Sequence, residues 1–257
     1  MVDFFAAVFL GMVQGITEWL PVSSSGHLVL FQQLLGLEAG VAFDIMLHFS
    51  TLLVVLAFFR RDVWKIIEAF GRRDFKTGDG RLGLLIILAS VCSCAVAFFF
   101  MDWIDAMFSS ALTVGAGLMV TGLILFSTKF RISKPAGPSW KNSVFIGLAQ
   151  GVAIVPGISR SGTSVSASLA AGLKVGEAVR FSLLLSIPAI TGAVVYALKD
   201  AAVLAVDAIP MAAGMITTFA VGWLGLKALV RVVLAEKFWI FAVYCWALGL
   251  IVIAFSM

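Results

Sequence analysis

Two short stretches of this chain gather side chains that can do chemistry. The first runs Gln14-Gly-Ile-Thr-Glu18-Trp-Leu-Pro21-Val-Ser23-Ser24-Ser25-Gly26-His27. The second runs Pro156-Gly157-Ile158-Ser159-Arg160-Ser161-Gly162-Thr163-Ser164. Glu18 can serve as a general acid or base, or as a ligand for a hard cation such as Mg²⁺ or Ca²⁺. Gln14 precedes it by one helical turn, so the two side chains share a face. His27 can be a nucleophile or a general acid or base, and Ser24 a second nucleophile or a phosphate ligand. Arg160 carries a planar fork that suits phosphate or carboxylate; its plainer role is an ion pair with Glu18. In both stretches Pro and Gly break a helix and hydroxyl residues can cap the next one. A helix start of that kind binds anions. Ser23, Ser25, Gly26, Ser159, Ser161, Gly162, Thr163 and Ser164 are therefore candidate anion-binding positions beside Gln14, although any one of these serines can equally be a simple cap. Together the groups suit phosphoryl transfer to water. Arg160 and backbone N–H groups would stabilise the transferring phosphoryl, and a cation would neutralise the leaving phosphate.

These polar stretches sit in an apolar chain. Of 257 residues, 61% are hydrophobic and 12% charged, and the mean hydropathy is +1.09. A soluble domain carries about twice that charged fraction. Six runs approach the length that crosses a bilayer: 41–60, 82–101, 109–128, 177–198, 208–228 and 237–256. The ten-residue alternation of a β-barrel is missing. The fold class expected is all-α integral membrane. The net charge of +4 does not indicate nucleic acid, because the basic residues sit in loops, as the positive-inside rule expects. Cys92, Cys94 and Cys245 lie within apolar runs and read as packing residues rather than a zinc site. The N-terminus lacks Lys and Arg and its apolar run breaks at Gln14, so no cleaved signal peptide is expected.

Lys and Arg set the orientation. The 60–81 loop has seven, the 129–141 loop four and the 227–237 stretch three, whereas 102–108 has none and 199–207 has only Lys199. Placing the three basic loops in the cytoplasm satisfies every loop. Residues 1–37 and 142–174 then do not cross. Each is apolar, polar and apolar again, with arms too short to span, so each is expected to be a re-entrant helical hairpin.

The two segments are also related. A shift of 136 aligns Phe9, Gly11, Gln14, Gly15, Ser23, Ser25, Gly26, Gly36, Leu37, Gly40, Ala42 and Leu47 with identical residues from Phe145 to Leu183. The chain therefore reads as a single membrane domain of two repeats, 1–128 and 142–257, each a hairpin plus three spans. Three spans per half invert the second copy, and the two polar tips should meet near the midplane. Ser24 and His27 in the first copy correspond to Arg160 and Thr163 in the second. Asp44 and His48, one turn apart on the first span, can support the site from behind or satisfy each other. Arg180 falls at the Asp44 position of the second copy, so the two could pair across the pseudo-symmetry axis. Trp64, Trp103, Trp140, Trp223 and Trp239 lie near span ends, as an interfacial belt would. A charged pocket in such a protein suits an amphiphilic phosphate whose chain leaves between helices.

At these residues the chain resembles the undecaprenyl-diphosphate phosphatase family, also called bacitracin-resistance protein A. Its (E/Q)-x-x-x-E element is matched by Gln14 to Glu18, P-V-S-S-[ST]-G-H by Pro21 to His27, P-G-x-S-R-S-x-x-T by Pro156 to Ser164, and F-D-x-x-L-H by Phe43 to His48. The resemblance covers essentially the whole chain. It implies a bacterial cytoplasmic-membrane enzyme, with its site facing outward, that hydrolyses undecaprenyl diphosphate with a divalent cation. The reaction recycles the lipid carrier of peptidoglycan synthesis and confers bacitracin resistance. Glu18, Ser24, His27 and Arg160 would be the catalytic set, with Gln14 and Ser159 beside them. The partners implied are the lipid and the bilayer; a homodimer is compatible with the sequence. Two positions depart from the pattern: Ser164 replaces the final Thr, and Gln14 leaves that element with one carboxylate. The nucleophile stays open between His27, Ser24 and water. A polyprenyl-phosphate transporter or flippase is the rival reading. The membrane phosphatases built on S-R-x₅-H-x₃-D do not fit, because no His follows Arg160.

Overall fold

The structure, a computed structural model, describes residues 2–37, 40–76, 78–130, 137–197 and 207–256. Among these, all regular structure is helical. The helices are α1 (Phe4–Thr17), α2 (Ser24–Leu34), α3 (Gly40–Phe58), α4 (Arg60–Gly71), α5 (Gly78–Phe100), α6 (Ile104–Ser109), α7 (Ala111–Ser127), α8 (Trp140–Val152), α9 (Arg160–Ala170), α10 (Val175–Ala197), α11 (Ala208–Leu234) and α12 (Phe241–Ser256). Five helical stretches are long and apolar enough to cross a membrane: Gly78–Phe100, Ala111–Phe130, Val175–Val195, Ala208–Leu234 and Phe238–Ser256. The chain is an integral membrane protein.

The expected span at 41–60 takes a different form. Its helix ends at Phe58, and the chain turns by 78° at Phe59 into α4. The two together make a sixth candidate span only as a bent pair. The cause is local. Arg60, Arg61 and Asp62 follow the apolar run directly, and charge at bilayer depth is expensive. α4 buries none of its residues and exposes Trp64 and Ile67 on its apolar face. Lys199 and Asp200 of the expected 199–207 loop, and 131–136 of the 129–141 loop, lie outside the described residues.

The short helices α1 and α8 are held by close packing. α1 lies on α11 and α8 lies on α5. A methyl on Gly11 would stand 2.5 Å from the Gly214 carbonyl oxygen, and one on Gly15 would stand 2.8 Å from Gly222 N. On α8, Gly147 meets the Ala89 backbone and Gly151 meets Val96. Small residues four apart let helix backbones approach where lipid supplies no hydrophobic drive. Hydrogen bonds reinforce both contacts at matching positions. Thr218 donates to the Gly11 carbonyl at 3.1 Å, and Ser93 to the Gly147 carbonyl at 2.8 Å. Of the other long helices, α3 packs on both α10 and α11, and α7 packs on α12. Gly36 and Gly172, also 136 apart, follow the ends of α2 and α9 with φ of 60° and 86°, a left-handed closure that favours glycine. The largest fully buried side chains are Trp19, Phe43, Phe181 and Phe238.

Candidate active site

Both polar stretches form breaks between short helices. α1 ends at Thr17 and α2 begins at Ser24, where Ser23 accepts from Gly26 N at 3.3 Å. α8 ends at Val152 and α9 begins at Arg160, where Ser159 accepts from Gly162 N at 3.1 Å. The breaks meet. Ser23 Oγ also accepts from Gly157 N at 3.1 Å, and Ser161 Oγ lies 3.3 Å from the Leu20 carbonyl oxygen. Gly157 has φ of 90° and lies against the backbone of α7 at Val114, where a side chain would collide. From α7, Thr121 donates to the Gly157 carbonyl at 2.8 Å and accepts from Ser159 N at 2.9 Å. From α12, Cys245 donates weakly to the Pro21 carbonyl at 3.5 Å.

Glu18 is the hub of this junction. Its side chain is 3% exposed. Oε1 takes the Arg160 guanidinium from the opposite break. Oε2 accepts from Ser24 Oγ at 2.6 Å and from Gln14 Nε2 at 3.0 Å, and His48 Nε2 stands 3.5 Å away. A carboxylate this buried needs a charge partner and full hydrogen bonding, and each of these neighbours supplies part of it. A cavity of about 220 Å³ opens beside it, and its polar lining is Glu18, Ser23, Ser24, Ser25, His48, Ser159 and Arg160. Its apolar lining includes Phe108 of α6, Ile154 and Ile158 between α8 and α9, and Ala189, Ile190 and Ala193 of α10. The polar lining can hold charge and the apolar lining can hold hydrocarbon.

Several expected site residues lie elsewhere. His27 does not line the cavity. Its Nδ1 is 2.8 Å from the Ser23 carbonyl oxygen and its Nε2 2.7 Å from Tyr244 Oη. Gln14 acts from behind, on Glu18 alone. Gly26 and Gly162 give close approach, with a methyl at 3.4 Å from Gly157 Cα and 3.3 Å from Pro21 Cβ respectively. Ser161 ties the two breaks together, Ser164 bonds to the Arg160 carbonyl and to Ser182, and the Thr163 hydroxyl is buried. Ser161, Gly162 and Ser164 thus support the break, and no residue from Ser161 to Ser164 lines the cavity.

The Asp44–Arg180 pair is a correction. Asp44 accepts from Gln32 Nε2 at 2.8 Å, while Arg180 donates to Asp62 at 2.6 Å and Asp79 at 2.7 Å. Arg180 lies in the second turn of α10, level with the starts of α4 and α5. His48 bonds the Asp44 backbone carbonyl at 2.8 Å rather than its carboxylate. It stands in the cavity wall itself and not behind it. Sequence reasoning missed Tyr244, Thr121 and the apolar lining. The first two are single hydroxyls in apolar helices, and the lining is made of the same residue types as every other span.

The donors around Glu18 suit a divalent cation only in part. Among the described residues no three His, Cys, Asp or Glu side chains cluster. Beside Glu18, however, Gln14 Oε1 is buried without a partner. One carboxylate and one amide oxygen fit a cation that arrives with substrate phosphates, as Mg²⁺ commonly does, and do not fit an all-protein cage.

Known proteins resemble this chain over nearly its whole length. The family described as "Bacitracin resistance protein BacA" matches residues 7–251. A protein of Desulforapulum autotrophicum named undecaprenyl-diphosphatase is 40% identical, over 97% of each chain. Proteins of the same name from Methanosphaera stadtmanae and Methanobrevibacter smithii are 37% and 40% identical. They align over 100% and 97% of this chain and 99% and 96% of their own.

Proposed function

The chain belongs to the bacitracin resistance protein BacA family, and on that premise we propose that it hydrolyses undecaprenyl diphosphate to undecaprenyl phosphate and inorganic phosphate. That reaction returns the lipid carrier to peptidoglycan synthesis and confers bacitracin resistance. The observation that carries the chemistry is the Ser24 Oγ to Glu18 Oε2 hydrogen bond of 2.6 Å in the lining of the cavity.

Ser24 Oγ attacks the terminal phosphorus as Glu18 takes its proton. The phosphoanhydride P–O bond breaks, and undecaprenyl phosphate leaves with the proton that Glu18 took. The restored Glu18 carboxylate then deprotonates water, which attacks the phosphorus, and Glu18 returns that proton to Ser24 Oγ as phosphate departs. Arg160, His48 and the first N–H groups of α2 and α9 face the phosphoryl oxygens and stabilise their charge. His27, with both nitrogens engaged away from the cavity, is not the nucleophile. Glu18 and Gln14 would hold a Mg²⁺ or Ca²⁺ ion carried by the diphosphate, which supplies charge neutralisation at the leaving group. The polyprenyl chain lies along Phe108, Ile154, Ile190 and Ala193.

The segments 1–37 and 142–174 are re-entrant hairpins of an inverted repeat, and six spans include α3 with its bent continuation. Matched caps, matched glycine contacts and the exchanged pairs α1–α11 and α8–α5 support that reading. The basic loops support a cytoplasmic-membrane location with the cavity facing outward.

Phosphate release from undecaprenyl diphosphate by purified protein tests the proposal. Release that falls on addition of a chelator is the expected result. Lipid movement across reconstituted vesicles without phosphate release contradicts it.

A further inference from the structure

α12 touches the first break at two neighbouring residues. Cys245 reaches the Pro21 carbonyl, and Tyr244 reaches His27. Tyr244 is one of the chain's two tyrosines, placed in an otherwise apolar helix. Its ring lies nearly parallel to the imidazole, at 9° with centroids 5.8 Å apart. The hydrogen-bond polarity is fixed from the other end. The Ser23 carbonyl only accepts, so His27 Nδ1 carries a proton. In the neutral ring Nε2 is then an acceptor, and the Tyr244 hydroxyl donates to it.

The relay ends on a strained residue. Ser23 has φ of 67° and ψ of 95°, a region that disfavours any residue with a Cβ. Such backbone persists where its surroundings over-determine it, and it concentrates at functional sites. Ser23 Oγ accepts from Gly26 N and Gly157 N and lies 3.4 Å from Ser25 Oγ; its carbonyl meets His27 twice, at the backbone N–H at 3.2 Å and at the ring Nδ1 at 2.8 Å. Ser24 follows directly, so the Ser23 backbone sets where Ser24 Oγ points relative to Glu18.

We propose that Tyr244 is a positioning residue for the Ser24–Glu18 pair, acting through His27 and the Ser23 carbonyl. The proposal rests on Ser24 being the reacting group. It also accounts for His27, whose ring orients the nucleophile without touching the phosphate.

Two measurements on the full-length protein in detergent test it, and one needs no activity. The chain has two histidines, so ring-nitrogen NMR can resolve both. His27 should carry its proton on Nδ1, and Tyr244→Phe should keep that tautomer while shifting the Nε2 resonance, which loses its donor. A wild-type His27 protonated on Nε2 overturns the proposal whether or not the protein releases phosphate. In kinetics, Tyr244→Phe should lower kcat about tenfold and leave KM within about twofold, the scale of one lost orienting hydrogen bond. An unchanged kcat, or a loss confined to KM, overturns it. So does a kcat loss with the His27 Nε2 resonance unshifted, because the route runs through that ring. A wild type that releases no phosphate contradicts the phosphatase reading instead, and the NMR result then decides the relay alone.

Discussion

Glu18 has four neighbours that donate or can donate to it: Arg160, Ser24, Gln14 and His48. They are not equivalent. Ser24→Ala removes the attacking oxygen and should lower kcat at least about a thousandfold, with the melting temperature little changed. Gln14→Leu removes a donor to Glu18 and the amide oxygen that would share the cation with it. Steady-state kinetics should show a kcat loss of at least about tenfold, because the carboxylate loses one of the bonds that orient it and the cation loses a ligand. The residue types of this site were legible in the sequence, as were the two stretches that carry them. The facing of each side chain was not. Ser24 and His27 lie three apart at the start of α2, close enough in sequence to read as partners. The break at Ser23 turns one into the cavity and the other toward α12, and only tertiary contacts decide which.

At the scale of elements, the two breaks depend on α7 and α12 as much as on their own helices. Thr121 satisfies the Gly157 carbonyl and Ser159 N together. Thr121→Val keeps the shape and leaves both groups buried and unpaired, a loss of about 1–3 kcal/mol each at most. A lower melting temperature and a higher KM should appear together, since Ser159 caps the helix that carries Arg160. A variant with wild-type stability would contradict this role. Gly151→Leu tests the other support. The new side chain would strike Val96 of α5, displace α8 and lower thermal stability, while the same change at Gly71, where nothing lies within 4 Å, should not. The repeat made both breaks readable from the sequence. The bend at Phe59 was not readable as a bend, because an apolar run followed by Arg60 and Arg61 looks like any span end. Asp44 and Arg180 show the limit of repeat logic. Both lie in the second turn of their helices, and in an inverted repeat those helix starts would lie on opposite faces of the membrane, so correspondence away from the midplane argues against contact.

On the scale of the whole molecule, the basic loops and the acidic 102–108 segment predict which end of the bundle faces the cytoplasm. Single cysteines at Ser109 and Ser139, in a background without Cys92, Cys94 and Cys245, report this directly. Position 109 should react with an impermeant thiol reagent from outside and position 139 only after the membrane is opened. Reversed accessibility would contradict the assigned orientation. All of this turns on the Glu18–Ser24–Arg160 junction being the place where undecaprenyl diphosphate is cleaved. Phosphate release from that lipid by purified wild type, Glu18→Gln and Arg160→Gln decides it. The wild type should release phosphate, and each variant should lose at least about a hundredfold in kcat while remaining folded. Wild-type rates in either variant would remove the junction from the chemistry.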